Sequence, residues 1–287
     1  TEDGYIRGER LRGTMTTLEP DIGTDPTPPG GGRPTFEWSG FPWWFLGIIL
    51  VIAYPLFKVL TDETWEEGFL FIKDGITLTI ITTIGGFIIS MILGLIVALG
   101  RLSKNTFFKN LAMFYIELIR GIPVLVTIFF VGLVIWPQML NLLNLSPQSF
   151  LGKPAVKTTV ALGLIYAAFI AEVFRAGIES VGTGQREAGM SMGLGRFQVF
   201  RLIVWPQALK NVLPALGNDL IALLKDSSLV SILAVRELTQ MTKLWTGVTF
   251  QFFAGFMILA AMYLALTVSL SFLLQWYERR ITIPGPG

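Results

Sequence analysis

Residues 75–100 read GITLTIITTIGGFIISMILGLIVALG, twenty-six residues without an ionisable side chain, bracketed by Asp74 and Arg101. At 1.5 Å per residue a helix of that length crosses the roughly 30 Å hydrocarbon core with tilt or overhang to spare. The rest of the chain agrees. Of 287 residues 52% are hydrophobic and 15% charged, whereas a soluble domain carries about a quarter charged residues. The chain therefore reads as a membrane protein. It contains no Cys and no His, which removes disulfide frameworks, thiolate or imidazole metal sites, Cys–His and Ser–His nucleophile pairs and histidine proton shuttles. The net charge of +2 and the lack of a basic run interleaved with aromatics argue against nucleic-acid binding.

Working outward, further apolar stretches run over 41–60, 108–136, 158–181, 212–235 and 252–277, giving six expected spans. The first opens at Pro42, carries Trp43 and Trp44 as an interfacial belt and needs only Lys58 to snorkel. It is preceded by a polar, Pro/Gly-rich stretch, so it reads as an anchor rather than a cleaved leader, and residues 1–40 read as a flexible cytoplasmic tail. Orientation follows from basic residues in the short loops. Placing 101–109, 182–210 and the C-terminus inside puts nine there (Arg101, Lys104, Lys109, Arg186, Arg196, Arg201, Lys210, Arg279, Arg280) against six outside (Lys58, Lys73, Lys153, Lys157, Arg236, Lys243). Both termini are expected in the cytoplasm.

The long inner loop is the most informative stretch. Thr183 or Gly184 can begin a short helix with Glu187 in its first turn, Gly193 and Gly195 can supply the positive φ that ends it, and Pro206 marks a bend before the next span. The pattern predicts a helix, a turn and a second helix at the membrane face, exposing Ala188, Met190, Met192, Leu194 and Phe197 for packing. Physics alone accounts equally for an amphipathic interfacial helix.

These residues resemble the permease subunits of binding-protein-dependent ABC importers, in particular the polar amino acid uptake group. The family pattern Glu-Ala-Ala, three residues, Gly, nine residues, Ile-x-Leu-Pro is met by Glu187, Ala188, Gly193, Ile203 and Pro206; Gly189 stands for the second Ala and Trp205 for Leu. Similar flanks occur at Gly75–Ile80, Glu117–Pro123, Glu172–Gly177, Lys225–Ser231 and Tyr277–Arg280. The resemblance covers about 70–281, which it marks as the permease domain. It implies an all-α membrane protein of the type I importer fold, a five-helix core with a cytoplasmic coupling helix, to which 41–60 adds a sixth span. It further implies coupling to an ATPase through Glu187, Ala188, Gly189, Gly193, Gly195 and Pro206. The implied partners are two ATPase subunits that bind ATP and Mg, a second permease, identical or related, and an extracytoplasmic solute-binding protein touching loops such as 137–156 and 236–251. The cargo is a polar amino acid and the setting the lipid of the inner (plasma) membrane. The chain itself has no phosphate-cradling loop: Gly152-Lys153 is followed by Pro154 and lacks the upstream Gly. No cofactor is expected in it.

Charges inside spans are functional candidates. Glu117 and Arg120, and Glu172 and Arg175, are three apart and can each pair on their own helix face. Asp219 and Asp226 share a face seven residues apart, and Asp226 lacks an obvious local partner. A zwitterion needs an acceptor for its ammonium (Asp226, Glu117 or Glu172) and a donor for its carboxylate (Arg120 or a helix N-terminus). Gly121 and Pro123 interrupt the third span as a broken helix lining a cavity would. The competing class is an ion-coupled secondary transporter or channel, which more often shows a repeat between its halves. An intramembrane enzyme would need His, Cys or paired carboxylates at metal spacing.

Overall fold

The computed structural model describes residues 43–281; the expected tail at 1–40, the Pro42 start and the interfacial placement of Trp43 and Trp44 lie outside the described residues and side chains. The described residues are helical, with no strand among them. Helix α1 covers Trp43–Thr61, α2 Glu63–Ile72, α3 Gly75–Arg101 and α4 Thr106–Gly121. After a break at Ile122 and Pro123 follow α5 (Val124–Phe129), a π segment over Phe130–Ile135 and α6 (Trp136–Leu142). Helix α7 spans Pro154–Glu179, α8 Thr183–Ser191 and α9 Arg196–Val199. A second π segment, Phe200–Val204, leads into α10 (Trp205–Asp226), and a 3-10 segment (Ser227–Leu233), α11 (Leu238–Thr249) and α12 (Phe252–Ile281) complete the chain.

Among the described residues four stretches are long and apolar enough to cross a membrane: 63–101, 124–142, 154–179 and 252–280. Helix α1 is apolar but shorter by the same measure. The expected 212–235 span is not one α-helix. Helix α10 starts earlier, stops at Asp226, and gives way to 3-10 geometry and a left-handed turn at Ala234 (φ 56°). Two stretches expected as outer loops are helical: α2, whose N-cap Asp62 accepts from the Thr64 N–H at 3.1 Å, and α11, capped by Glu237.

The seam between α3 and α7 organises the bundle. On α3 one row spaced by four, Thr82, Gly86, Ser90, Gly94 and Ala98, is buried, while the row Ile80, Ile84, Ile88, Ile92 and Ile96 is exposed. Small residues inside and large apolar ones outside is the pattern expected where lipid removes the hydrophobic drive and close van der Waals contact holds helices together. The approach leaves no room for a side chain at Gly85, Gly94 or Gly163. A Cβ on Gly94 would lie 2.8 Å from Ile170 Cγ2, and one on Gly163 2.6 Å from Ile89 Cγ2. Two buried hydroxyls of α3 spend their donors on the preceding turn, Thr83 on the Thr79 carbonyl (2.8 Å) and Ser90 on that of Phe87 (2.8 Å), whereas Thr82 Oγ1 has no partner among the described residues.

A second core joins α2, α11 and α12 through Trp65, Ile72, Leu238, Trp245 and Ile258. Here Glu237 is fully buried, its carboxylate accepting from the Thr239 and Gln240 N–H groups and the Tyr263 hydroxyl, each at 2.8 Å.

Each π segment ends at the same tripeptide, Trp136-Pro137-Gln138 and Trp205-Pro206-Gln207, within the octapeptides LVIWPQML (133–140) and LIVWPQAL (202–209). This is a short repeat, invisible when whole halves are compared. Proline has no N–H and its ring crowds the carbonyl four residues back; a wider turn, with Trp136 N–H bonded to the Val131 carbonyl and Trp205 N–H to that of Phe200, relieves both. Pro206 therefore makes no bend between separate helices: the chain stays helical from Arg196 to Asp226.

Candidate functional site

Two places gather the residues singled out in the sequence. The first is the loop between α7 and α10. Helix α8 follows Gly182, and Glu187 is its fifth residue, past the first turn, so its exposed carboxylate is not set against the helix N-terminus as expected. Gly193 ends the helix with φ +82°, whereas Gly195 is extended (φ −66°, ψ 158°) and caps α9 instead of sharing the left-handed role. Two packing contacts fold this hairpin against the end of α7. Gly189 is buried so closely that a Cβ would meet Ile203 Cδ1 at 2.5 Å, and Val181, Val199, Val204 and Ala208 form a small core with Ile178. The alanine that the family pattern carries at position 189 would thus force Ile203 to move. Ala188, Met190, Met192 (81% exposed) and Phe197 (72%) face outward; Leu194 does not, being half-buried against the same core. The hairpin is tied back by the Arg186 guanidinium, which donates to the Ile178 carbonyl at 2.5 Å, and Asn211 Nδ2 of α10 donates to Ser180 Oγ at the end of α7 at 2.9 Å.

The second place lies deeper, on facing surfaces of α7 and α10. The Tyr166 hydroxyl donates to Asp226 Oδ2 at 2.8 Å, giving Asp226 a partner sixty residues away that local spacing could not reveal. Tyr166 is the thirteenth of the twenty-six residues of α7, near the middle of that helix. From the Ser180–Asn211 bond, fourteen residues of α7 and fifteen of α10 lead to this pair, roughly 21 and 22 Å at the helical rise. Asp219, two turns closer to the loop on the same face, has a buried Oδ2 with no hydrogen-bond partner among the described residues. The Tyr166 ring contacts that of Phe169 (centroids 5.9 Å apart), and the Arg120 guanidinium sits over Phe169 at 5.7 Å from the centroid. Arg120 is the penultimate residue of α4, at the break where Gly121 ends the helix. A cation and a carboxylate thus flank a pair of aromatic rings, next to two interrupted helices.

The other candidates do not join this group. Arg120 turns to Phe169 and Glu117 is exposed, without an ion pair among the described residues, so the expected Glu117–Arg120 pair is not formed. Glu172 does pair with Arg175 (2.9 Å) and also with Arg101 of α3, while Arg175 reaches Glu179; these charges bolt α3 to α7 below the seam. Nothing in local spacing singles out Tyr166, Phe169 or Arg101 as site residues. The signal available for Tyr166 was a hydroxyl in the middle of an otherwise apolar run.

Comparison with known proteins fits this geometry. Residues 90–283 match the family described as binding-protein-dependent transport system inner membrane component. The chain is 34% identical to the probable amino-acid permease protein YxeN of Bacillus subtilis over 223 residues, 77% of this chain and 96% of that protein. It is 31% identical to the glutamine transport system permease protein GlnP of Escherichia coli K12 over 210 residues, 73% and 92% of the two. Among solved structures, a chain from the crystal structure of an amino acid ABC transporter with histidines superposes with a TM-score of 0.66 at 33% identity, covering 77% of this chain and 97% of that one. Relatives matched almost end to end, and a family match over about two thirds of the sequence, lead to one conclusion: the chain belongs to the binding-protein-dependent transport system inner membrane components, the permease subunits of ABC transporters.

Proposed function

We propose that this permease imports polar amino acids across the plasma membrane, driven by ATP that other subunits hydrolyse. The observation that carries the reading is the α8–α9 hairpin, which is anchored to α7 by its own small core yet leaves Met190, Met192 and Phe197 uncovered. An apolar, rigidly held helix end is what a moving partner can push against. In this reading Glu187, Ala188, Gly189, Gly193, Gly195 and Pro206 form or support the contact with one of two ATPase subunits, which bind ATP and Mg. The chain itself performs no catalysis. A second permease, identical or related, completes the pathway, and an extracytoplasmic binding protein delivers the cargo.

The deeper group suits a zwitterion. Arg120 offers a planar donor to a carboxylate, Asp226 an acceptor to an ammonium, and Asp219 a second acidic group along the stripe. Glu117 and Glu172 contribute less in this reading: one is exposed, the other is occupied by two arginines. In this reading the chain crosses the membrane six times with both termini in the cytoplasm, and the hairpin lies on the ATPase side. A tag before residue 35 is then protected from protease in intact cells, and a site engineered near residue 145 is cut.

The test is reconstitution with the co-purified ATPase. Glu187→Lys and Gly193→Val are expected to uncouple hydrolysis from uptake by an order of magnitude or more while the chain still inserts. Normal coupling in both variants would remove the hairpin from this role.

A further inference from the structure

We infer that the chain carries an anion-binding site for a phosphate group, separate from the substrate pathway, in the cavity behind the α8–α9 hairpin. The cavity has a volume of about 410 Å³ and is bordered by three cations from three elements: Lys104 of the α3–α4 loop, Arg186 of α8 and Arg196 of α9. No carboxylate lines it, and among the described residues none of the three has an ion-pair partner. Arg101 and Arg175 nearby are by contrast paired with Glu172, and Glu179 with Arg175. The contrast locates an uncompensated positive field in one concave place. Arg186 sharpens it. One of its terminal nitrogens is committed to the Ile178 carbonyl, which fixes the guanidinium, while its Nε is buried and has no acceptor. A fixed guanidinium beside two further cations matches the several acceptor oxygens of a phosphate better than the two of a carboxylate.

The walls indicate how such a group would be presented. Val199, Phe200 and Val204 give the cavity an apolar side, and Met190 a flexible rim. A glycerophosphate with its first acyl carbons fits that mixture. Inorganic phosphate would satisfy the cations alone. Both share the recognised chemistry, and the site holds whichever way the chain is oriented in the membrane.

The full-length chain, purified in a neutral detergent, is examined by native mass spectrometry with dioctanoyl phosphatidylglycerol, and in parallel with the phosphatidylcholine of equal chain length. The site predicts retention of phosphatidylglycerol, a net anion, but not of phosphatidylcholine, whose phosphate carries a choline cation that Lys104, Arg186 and Arg196 repel. Affinity should fall about thirtyfold in Lys104→Gln/Arg196→Gln and return in Lys104→Arg/Arg196→Lys. The control Arg279→Gln/Arg280→Gln removes equal charge elsewhere and keeps binding. Millimolar inorganic phosphate displacing the lipid assigns the site to the phosphate group alone; lipid retained under phosphate assigns it to the lipid headgroup. Equal binding of the two lipids, undiminished binding in Lys104→Gln/Arg196→Gln, or the same loss in the control overturns the proposal. So does loss of phosphatidylglycerol on assembly with the ATPase, which would give the cations to a side chain of that partner.

Discussion

Adding one methyl group to Gly163 should loosen the bundle, although the same change elsewhere in the chain tightens it. A Cβ there would lie 2.6 Å from Ile89 Cγ2 and 2.7 Å from Ile89 Cβ, against about 3.5–4.0 Å for carbons in contact. The shortfall is about 1 Å, and Ile89 Cβ cannot rotate away because it is bonded to the α3 backbone. Helices α3 and α7 must part, at an overpacking cost of about 1–3 kcal/mol. Alanine returns about 1 kcal/mol of helix propensity, leaving Gly163→Ala destabilised by about 1 kcal/mol. At Gly247, exposed on α11, an added Cβ meets nothing within 4 Å, so Gly247→Ala keeps the propensity gain of up to about 1 kcal/mol. The two variants should differ by about 2 kcal/mol, or roughly 4–8 °C in apparent melting midpoint at the scale of large domains. Fluorescence-detected size exclusion after stepwise heating, in one detergent and at one concentration, reads that difference. A Gly163→Ala protein as stable as Gly247→Ala would refute the close approach of α3 and α7.

Three further outcomes are expected. Tyr166→Phe strips Asp226 of its donor, a charge-assisted bond of about 1.5–3 kcal/mol, and should cut transport at least tenfold with the complex still eluting intact; Asp226→Asn should shift preference among cationic, neutral and acidic amino acids, and unchanged kinetics for all three would take it out of the pathway. Glu172→Gln leaves Arg101 and Arg175 facing each other; because these side chains are 23% and 27% exposed, solvent screening limits the loss to about 1–2 kcal/mol, read as a lower midpoint that Arg101→Gln partly restores. Glu237→Ala removes the cap of α11 and the acceptor of Tyr263, a cost of about 3 kcal/mol, visible as faster proteolysis within 236–251.

Helices α3 and α12 are legible because an uninterrupted apolar run is a property of one segment, α7 because its charges are confined to its two ends, and the break at Gly121–Pro123 because glycine and proline act locally. Helix α10 was harder. Lys210, Asn211, Asn218 and Asp219 dilute its hydropathy, and nothing local says that Ser227 begins a tighter helix. Helices α2 and α11 fall in stretches expected as outer loops because neither is long enough to span, yet Asp62 and Glu237, acidic residues just ahead of the helices they cap, are visible cues. The buried row from Thr82 to Ala98 was likewise present in the opening stretch, as small residues every fourth place. Contacts such as Tyr166–Asp226 and Arg101–Glu172 belong to the packing of distant segments and leave no trace in spacing.

The π segment at Phe200–Val204 works as an angular setting. It takes one more residue per turn than the α-helix around it, and each residue of an α-helix turns the chain by about 100°. The compass bearing of Asp219 and Asp226 is thus decided some fifteen to twenty-two residues upstream, at a turn that Pro206 holds open. Deleting a single residue there would leave α10 helical and the same two carboxylates in its sequence, but would aim them about a quarter-circle away from Tyr166.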